Sequence, residues 1–259
     1  MDSILCLFSV LFGLCLGSFA NVCIYRIPLN KSIVHPPSAC PACDYRVRFY
    51  DNIPVISYLF LMGRCRQCKA FISLRYPLVE ILMALLSLAL FIRFGFQLQY
   101  IPWMLFAGTL LILSFIDLDH KILPDVLTLP GILVGWLVSF LPGGLSWADS
   151  LIGLIAGGGS LYLVATVYAR ITGREGLGGG DIKLLAMIGA WMGWQSLPLI
   201  VLMSSLSGAV IGSVFILLGG KGARTQIPFG PFLSLGALSY LFFGRQISLW
   251  YLGLFVGSS

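Results

Sequence analysis

Apolar stretches of bilayer length recur along the whole of this chain, roughly at residues 3–25, 77–94, 101–116, 126–142, 149–169, 182–195, 197–218 and 230–256. A helix needs about 20 apolar residues to cross the hydrocarbon core, and a shorter one suffices inside a bundle. Only 10% of the residues are charged and 58% are hydrophobic, whereas an average soluble domain carries about 25% charged residues. A soluble fold could not hide that much apolar surface, but lipid is itself apolar. The expected class is an all-α polytopic membrane protein with about eight transmembrane helices. The sixth stretch is short and poorly separated from the seventh by Gly193–Pro198. The eighth is interrupted by Gly244-Arg245-Gln246, which leaves two pieces as a second reading. The first has no basic residue before it and outruns a signal-peptide core, so a retained span is expected.

The basic residues set the expected sidedness. With the N-terminus outside the cytoplasm, the inside segments are 26–76, 117–125, 170–181 and 219–229. These segments, with Lys183 just beyond the third, hold fourteen of the sixteen Lys and Arg residues. Only Arg93 and Arg245 fall near the outer side. Long loops are weak topology signals, yet the short inside loops alone contribute Lys121, Arg170, Arg174, Lys221 and Arg224 against none outside. Retention of positive charge on the cytoplasmic side explains the net charge of +6 without nucleic acid, and the expected non-protein partner is membrane lipid. No internal repeat is evident. One boundary is expected, between the polar insertion 26–76 and the membrane bundle.

That insertion contains Cys40-Pro-Ala-Cys43 and Cys65-Arg-Gln-Cys68, with 21 residues between the pairs. Each pair can grip a metal ion from a tight turn, and four thiolates complete a tetrahedron suited to structural zinc. In the cytoplasm thiols stay reduced, and Arg46, Arg48, Arg64, Arg66 and Lys69 offset the charge of the site. A redox pair, an iron–sulfur site, or two disulfides on the opposite sidedness are the other readings. A metal node also explains how a segment with few apolar residues folds. Cys6, Cys15 and Cys23 have no ligand spacing and read as small packing residues. His35 lies outside both pairs.

Ionisable groups inside a bundle are costly and so mark candidate sites. Glu80 opens the second stretch and is expected to pair with a base such as Arg75. The other informative acids are Asp117, Asp119 and Asp125 in one cluster, and Glu175 and Asp181 in Glu175-Gly-Leu-Gly-Gly-Gly-Asp181-Ile-Lys183. By parity, Asp117 ends an inward-running helix and Asp181 begins an outward-running one, at the same depth. Two carboxylates that meet there share one proton, so one can act as base on water while the other donates to a carbonyl oxygen. Gly178, Gly179 and Gly180 lack Cβ atoms and admit a peptide backbone. They are equally consistent with a flexible loop, or with a phosphate cradle, although no strand precedes them. The side chains alone leave three readings open: a protease pair, an ion- or proton-coupled transporter, and a structural polar network.

Several motifs in one order resemble the type IV prepilin peptidase family. They are Gly17-Ser-Phe-Ala-Asn-Val-Cys-Ile-Tyr-Arg26, Cys40-Pro-Ala-Cys43, Asp51-Asn-Ile-Pro-Val-Ile-Ser-Tyr58, Gly63-Arg-Cys-Arg-Gln-Cys68 and Ile72-Ser-Leu-Arg-Tyr-Pro77. Ile116-Asp117 with Leu123-Pro-Asp125, Gly179-Gly-Asp-Ile-Lys183 and Ile227-Pro-Phe-Gly-Pro-Phe232 follow. The resemblance implies an intramembrane aspartic protease of the GxGD kind in the bacterial inner membrane, with catalytic aspartates at Asp117 and Asp181. It implies substrates that are prepilins or type II secretion pseudopilins with short basic leaders. It further implies methylation of the new N-terminal residue with S-adenosylmethionine. The domains on this reading are a first transmembrane helix (1–25), a cytoplasmic tetracysteine zinc domain (26–76) and a transmembrane aspartic peptidase domain (77–259). The scissile bond of an apolar helix with a cytoplasmic leader sits at the depth deduced for both acids.

Supporting roles are expected for several neighbours. Lys183 either orients a nearby carboxylate, binds a terminal carboxylate, or anchors its helix at the interface. Asp125 and Glu175 are candidate supporting groups, and Asp125 after Pro124 is favoured as a cap for the first turn of the fourth span. Asp119 and His120 are expected in solvated loop. The methyl-donor pocket is expected to involve the insertion, the one sizeable polar part of the chain.

Overall fold

The computed structural model describes residues 2–173, 178–219 and 228–256. Among them every predicted apolar stretch holds a helix, although those expected at 126–142 and 182–195 stop early, at Val138 and Met192. The helices are α1 (Asp2–Arg26), α2 (Ile56–Phe60), α3 (Arg75–Phe94), α4 (Tyr100–His120), α5 (Asp125–Val138), α6 (Trp147–Thr172), α7 (Gly179–Met192), α8 (Leu197–Gly219) and α9 (Gly230–Val256). No strand occurs among the described residues beyond two isolated bridges in the insertion. The chain is an all-α polytopic membrane protein. Among the described residues, five helical stretches are long and apolar enough to cross a bilayer: Ser3–Leu29, Arg75–Phe94, Tyr100–His120, Trp147–Thr172 and Trp194–Val214.

Two expectations about boundaries change. The Gly244-Arg245-Gln246 interruption does not break the last stretch, because α9 runs through it as one helix. The sixth and seventh stretches are cleanly parted. Gly193 at φ +78 ends α7 with its N–H on the Gly189 carbonyl, a 3₁₀ turn follows at Trp194–Ser196, and α8 begins at Leu197. A positive φ at that joint is what glycine allows.

The chain divides into two compact units, Met1–Ile112 and Leu113–Ser259. In the first, α1 and α3 pack antiparallel at backbone contact. A Cβ on Gly13 would stand 2.6 Å from the Ala84 Cα, and one on Gly17 2.6 Å from the Glu80 Cα. Small residues allow this approach, which drives helix association in lipid. Ser87 adds polar ties, donating to the Ser9 carbonyl and sharing a 2.7 Å contact with the Tyr100 hydroxyl. Glu80, buried in α3, accepts a 2.7 Å hydrogen bond from the Val55 N–H and so fastens the insertion to the bundle.

In the second unit α7 is the central element. It has 14 residues, about 21 Å at 1.5 Å per residue, and every residue from Leu184 to Trp191 is buried. A short helix that is apolar all round belongs inside a bundle. Helix α6 lies antiparallel to it at glycine crossings, where a Cβ on Gly189 would stand 2.0 Å from the Gly153 carbonyl oxygen. Ser150 donates to the Ala190 carbonyl at 2.6 Å across the same seam. Helix α5 runs parallel to α7: Gly131 faces Met187, Gly135 faces Trp191, and the Trp191 indole donates to the Gly131 carbonyl at 2.8 Å. Helix α9 packs antiparallel to α8 through Gly236 against Ile200 and Ser204. The parallel placement of α5 and α7 brings two helix N-termini to one end of the unit, and the candidate acids lie there.

Candidate active site and metal centre

Asp117 occupies the last turn of α4 and is 5% exposed. A carboxylate so enclosed needs donors. One is the backbone N–H of Gly230, the first residue of α9, at 2.9 Å from Oδ2. The leading N–H groups of a helix have no partner within it and carry the positive end of its dipole, so Asp117 completes the start of α9. A Cβ on Gly230 would stand 2.7 Å from Asp117 Oδ2. In the sequence Gly230 stands within the motif Ile227-Pro-Phe-Gly-Pro-Phe232, which by itself gives it no task. The available signal was Pro231, since proline just inside a helix start marks an N-terminus.

Asp181 is the third residue of α7, half-buried. Its carboxylate lies near Gly178, where a Cβ would stand 3.5 Å from Oδ2, and it is close enough to Asp117 for the two charges to interact. Leu123, between α4 and α5, connects the parts. A Cβ on Gly180 would stand 2.8 Å from its Cβ, and one on Gly230 3.2 Å from its Cδ2. The end of α4 and the starts of α5, α7 and α9 therefore meet around one buried leucine. The N-termini of α9, which donates to Asp117, and of α7, which carries Asp181, make a favourable field for negative charge.

The glycine run is ordered, not a loose loop. Gly178 is the N-cap of α7, and Gly179 and Gly180 are its first helical residues. Gly180 is needed for the approach of Leu123, whereas a Cβ on Gly179 would meet nothing within 4 Å. Glycine in a helix is weaker than alanine by roughly 0.5–1 kcal/mol, so this first turn is intrinsically soft.

The cap expected from Asp125 is corrected. Pro124 holds the N-cap position of α5, and the Asp125 carboxylate turns to Lys183 instead, whose Nζ lies 2.6 Å from Oδ1 and 2.7 Å from Oδ2. An ammonium within reach is a stronger attraction than a further bond to its own turn. Asp119 and His120 are exposed as expected, but on the last turn of α4 and not in a loop. Glu175 lies outside the described residues.

In the first unit the four predicted cysteines come together, with all Sγ atoms within 4.8 Å of one another. Cys40 and Cys68 stand 3.8 Å apart, Cys43 and Cys65 4.0 Å. A tetrahedral ion with metal–sulfur bonds of about 2.3 Å separates its sulfurs by about 3.8 Å, so the set fits such an ion. The two pairs sit on copies of one turn. Cys40 N–H bonds to the Tyr45 carbonyl and Asp44 N–H to Cys40; Cys65 N–H bonds to Ala70 and Lys69 N–H to Cys65. Asp44 and Lys69 both have positive φ, and the bridges Ala39–Arg46 and Arg64–Phe71 close the two turns. This local repeat, 25 residues apart, was invisible in sequence because only the cysteines coincide. Backbone N–H groups of Cys68 and Gln67 pull the Cys65 thiol below its ordinary value, which favours the thiolate. Arg66 braces the second turn, gripping Asp51 at 2.6 Å. His35 is exposed, Cys23 is buried in α1, and neither belongs to the cluster.

Comparison with known proteins adds an independent line. Residues 11–94 match the bacterial peptidase A24 N-terminal domain, and residues 104–213 match the type IV leader peptidase family. Among curated relatives, a prepilin leader peptidase/N-methyltransferase of Pseudomonas aeruginosa is 42% identical, the alignment covering 94% of this chain and 92% of the relative. One of the same name from Aeromonas hydrophila is 41% identical over 95% and 93%. One from Myxococcus xanthus is 44% identical over 85% of this chain and 66% of its own length. No solved structure matches the chain.

Proposed function

Since the chain belongs to the type IV leader peptidase family, we propose that it cuts the basic leader from type IV prepilins or type II secretion pseudopilins with Asp117 and Asp181. On this reading it then methylates the new N-terminal residue with S-adenosylmethionine. The observation that carries the peptidase assignment is the convergence of the end of α4, with Asp117, and the start of α7, with Asp181, on Gly230 and Leu123.

Two such acids hold one proton between them. The ionised one takes a proton from water as the oxygen attacks the scissile carbonyl; the protonated one donates to the carbonyl oxygen and the proton then passes to the leaving amine. The Gly230 N–H occupies Oδ2 of Asp117 and leaves Oδ1 for the water and the shared proton. The open space beside Gly179 suits an extended substrate backbone. A transporter with midplane carboxylates fits less well, because both acids lie in terminal turns of their helices.

The four cysteines would hold zinc, which on this reading keeps the insertion folded. The charge distribution supports a periplasmic N-terminus and a cytoplasmic face for both insertion and acids. The proposed domains remain a first span (1–25), a zinc domain (26–76) and a peptidase bundle (77–259), with the methyl donor bound at the insertion.

The test is to incubate purified protein in detergent with a prepilin and S-adenosylmethionine. Leader release followed by a one-methyl mass gain on the new terminus is expected; an intact prepilin would overturn the assignment. A second expectation concerns Gly230. Alanine there puts a Cβ against Asp117 Oδ2 and Leu123, so Gly230→Ala should slow cleavage by at least about tenfold through displaced geometry. Wild-type turnover in that variant would show that the α9 contact does not position Asp117.

A further inference from the structure

Helices α5 and α7 run parallel, and their contacts form a series of rungs. From the acid end inward these are Leu123 against Gly180, Asp125 with Lys183, Gly131 against Met187, and Gly135 against Trp191. The inner rungs are apolar and enclosed, and the Trp191–Gly131 hydrogen bond reinforces them. The outer end is different. Gly178, Gly179 and Gly180 contribute no side chains, and the first fully buried residue of α7 is Leu184. Asp181 thus stands on a turn that glycine makes soft and that the inner packing does not reach.

We infer that Lys183 and Asp125 are a positioning pair that holds the first turn of α7, and with it Asp181, in register on α5. This rests on the peptidase reading of Asp181. The ammonium meets both oxygens of Asp125, at 2.6 and 2.7 Å. A cation close to a helix N-terminus opposes the helix dipole, whereas Asp125 in the first turn of α5 is favoured by it. Lys183 therefore gains more from this carboxylate than from solvent-facing freedom on its own helix. The pair joins the soft start of α7 to the start of α5 directly, two residues beyond Asp181 on one side and two beyond Leu123 on the other.

The side chains are 39% and 55% exposed. An ion pair so open adds little to overall stability, so its loss should loosen one turn without unfolding the bundle. That contrast separates positioning from a structural role.

The experiment uses full-length protein in detergent with a prepilin substrate. Lys183→Gln and Asp125→Asn should each lower kcat about five- to tenfold, which is about 1–1.4 kcal/mol at 1.36 kcal/mol per decade. KM should stay within about twofold, and the melting temperature should hold within a few degrees. Amide hydrogen exchange should speed up at residues 179–183 and stay unchanged at 184–191. Lys183→Arg should keep most activity, and the exchanged pair Asp125→Lys with Lys183→Asp should recover most of what either reversal alone loses. Three results would overturn the inference: normal kcat with normal exchange in the single variants, a rise in KM alone, or an exchanged pair no better than its single reversals. Should Asp181→Asn itself still cleave, the peptidase reading fails, while the exchange measurement still reports on the pair.

Discussion

Asp117→Asn and Asp181→Asn are each expected to abolish leader cleavage, lowering kcat by about 10³-fold or more, in a protein that still folds. Asparagine matches aspartate in shape, so the enclosing contacts survive. At position 117 its amide oxygen can still accept the Gly230 N–H that now lies 2.9 Å from Oδ2. What is lost is the capacity to take and return a proton, which by itself is worth about 10²–10⁴ in rate. Because the two acids act as a unit, the double variant should be little worse than either single one. The measurement is single-turnover leader release, with the melting temperature as control. Cleavage within tenfold of wild type by either variant would remove that residue from the catalytic pair. Clean additivity of the two losses would mean that they do not share a proton.

The same contacts explain why some of this arrangement could be read from the sequence and some could not. Helical stretches are legible because lipid imposes one rule, continuous apolarity: each of the eight apolar stretches holds a helix, and five among the described residues are long and apolar enough to span. Continuity of α9 through Arg245 was not legible, since a single charge looks like a break but costs little backbone hydrogen bonding. That Asp117 ends one helix and Asp181 begins another was legible from the apolar stretches. Gly230 is harder to read, because its contribution is a backbone N–H that every residue but proline possesses, and only the neighbouring Pro231 marks the helix start. Asp125 was misassigned as a cap for a similar reason. Local rules favour an acid for its own helix turn, and only the parallel packing of α5 on α7 brings Lys183 within 2.6 Å. The cysteines were legible as a set because spacing alone announces ligands. The shared turn beneath them was not, being written in carbonyl and N–H positions and not in side chains.

Removing the metal is expected to collapse the insertion and to stop methyl transfer while cleavage persists at a reduced rate. Between Ile27 and Tyr76 only Ser57, Gly63 and Cys65 are buried, so no apolar core holds this segment. Phe49, Phe60 and Phe71, which might have built one, are 82–88% exposed. Metal binding contributes about 10–16 kcal/mol to small thiolate domains, far more than the Arg66–Asp51 pair and the scattered turn hydrogen bonds can replace. The expected consequences of a strong chelator, or of Cys65→Ser, are loss of one equivalent of zinc and fast hydrogen exchange across residues 39–72. Methyl transfer should fall below detection. The groups assigned to peptide cleavage lie between Asp117 and Gly230, outside the insertion, so leader release should retain a measurable fraction of its rate. Cys40→Ser is a milder probe of the methyl-donor site than Cys65→Ser, because Cys40 is half-buried whereas Cys65 is buried. Should this variant fold, release its zinc and still methylate at the normal rate, the donor does not bind at the insertion. Should cleavage and methylation vanish in proportion, the insertion serves both reactions alike.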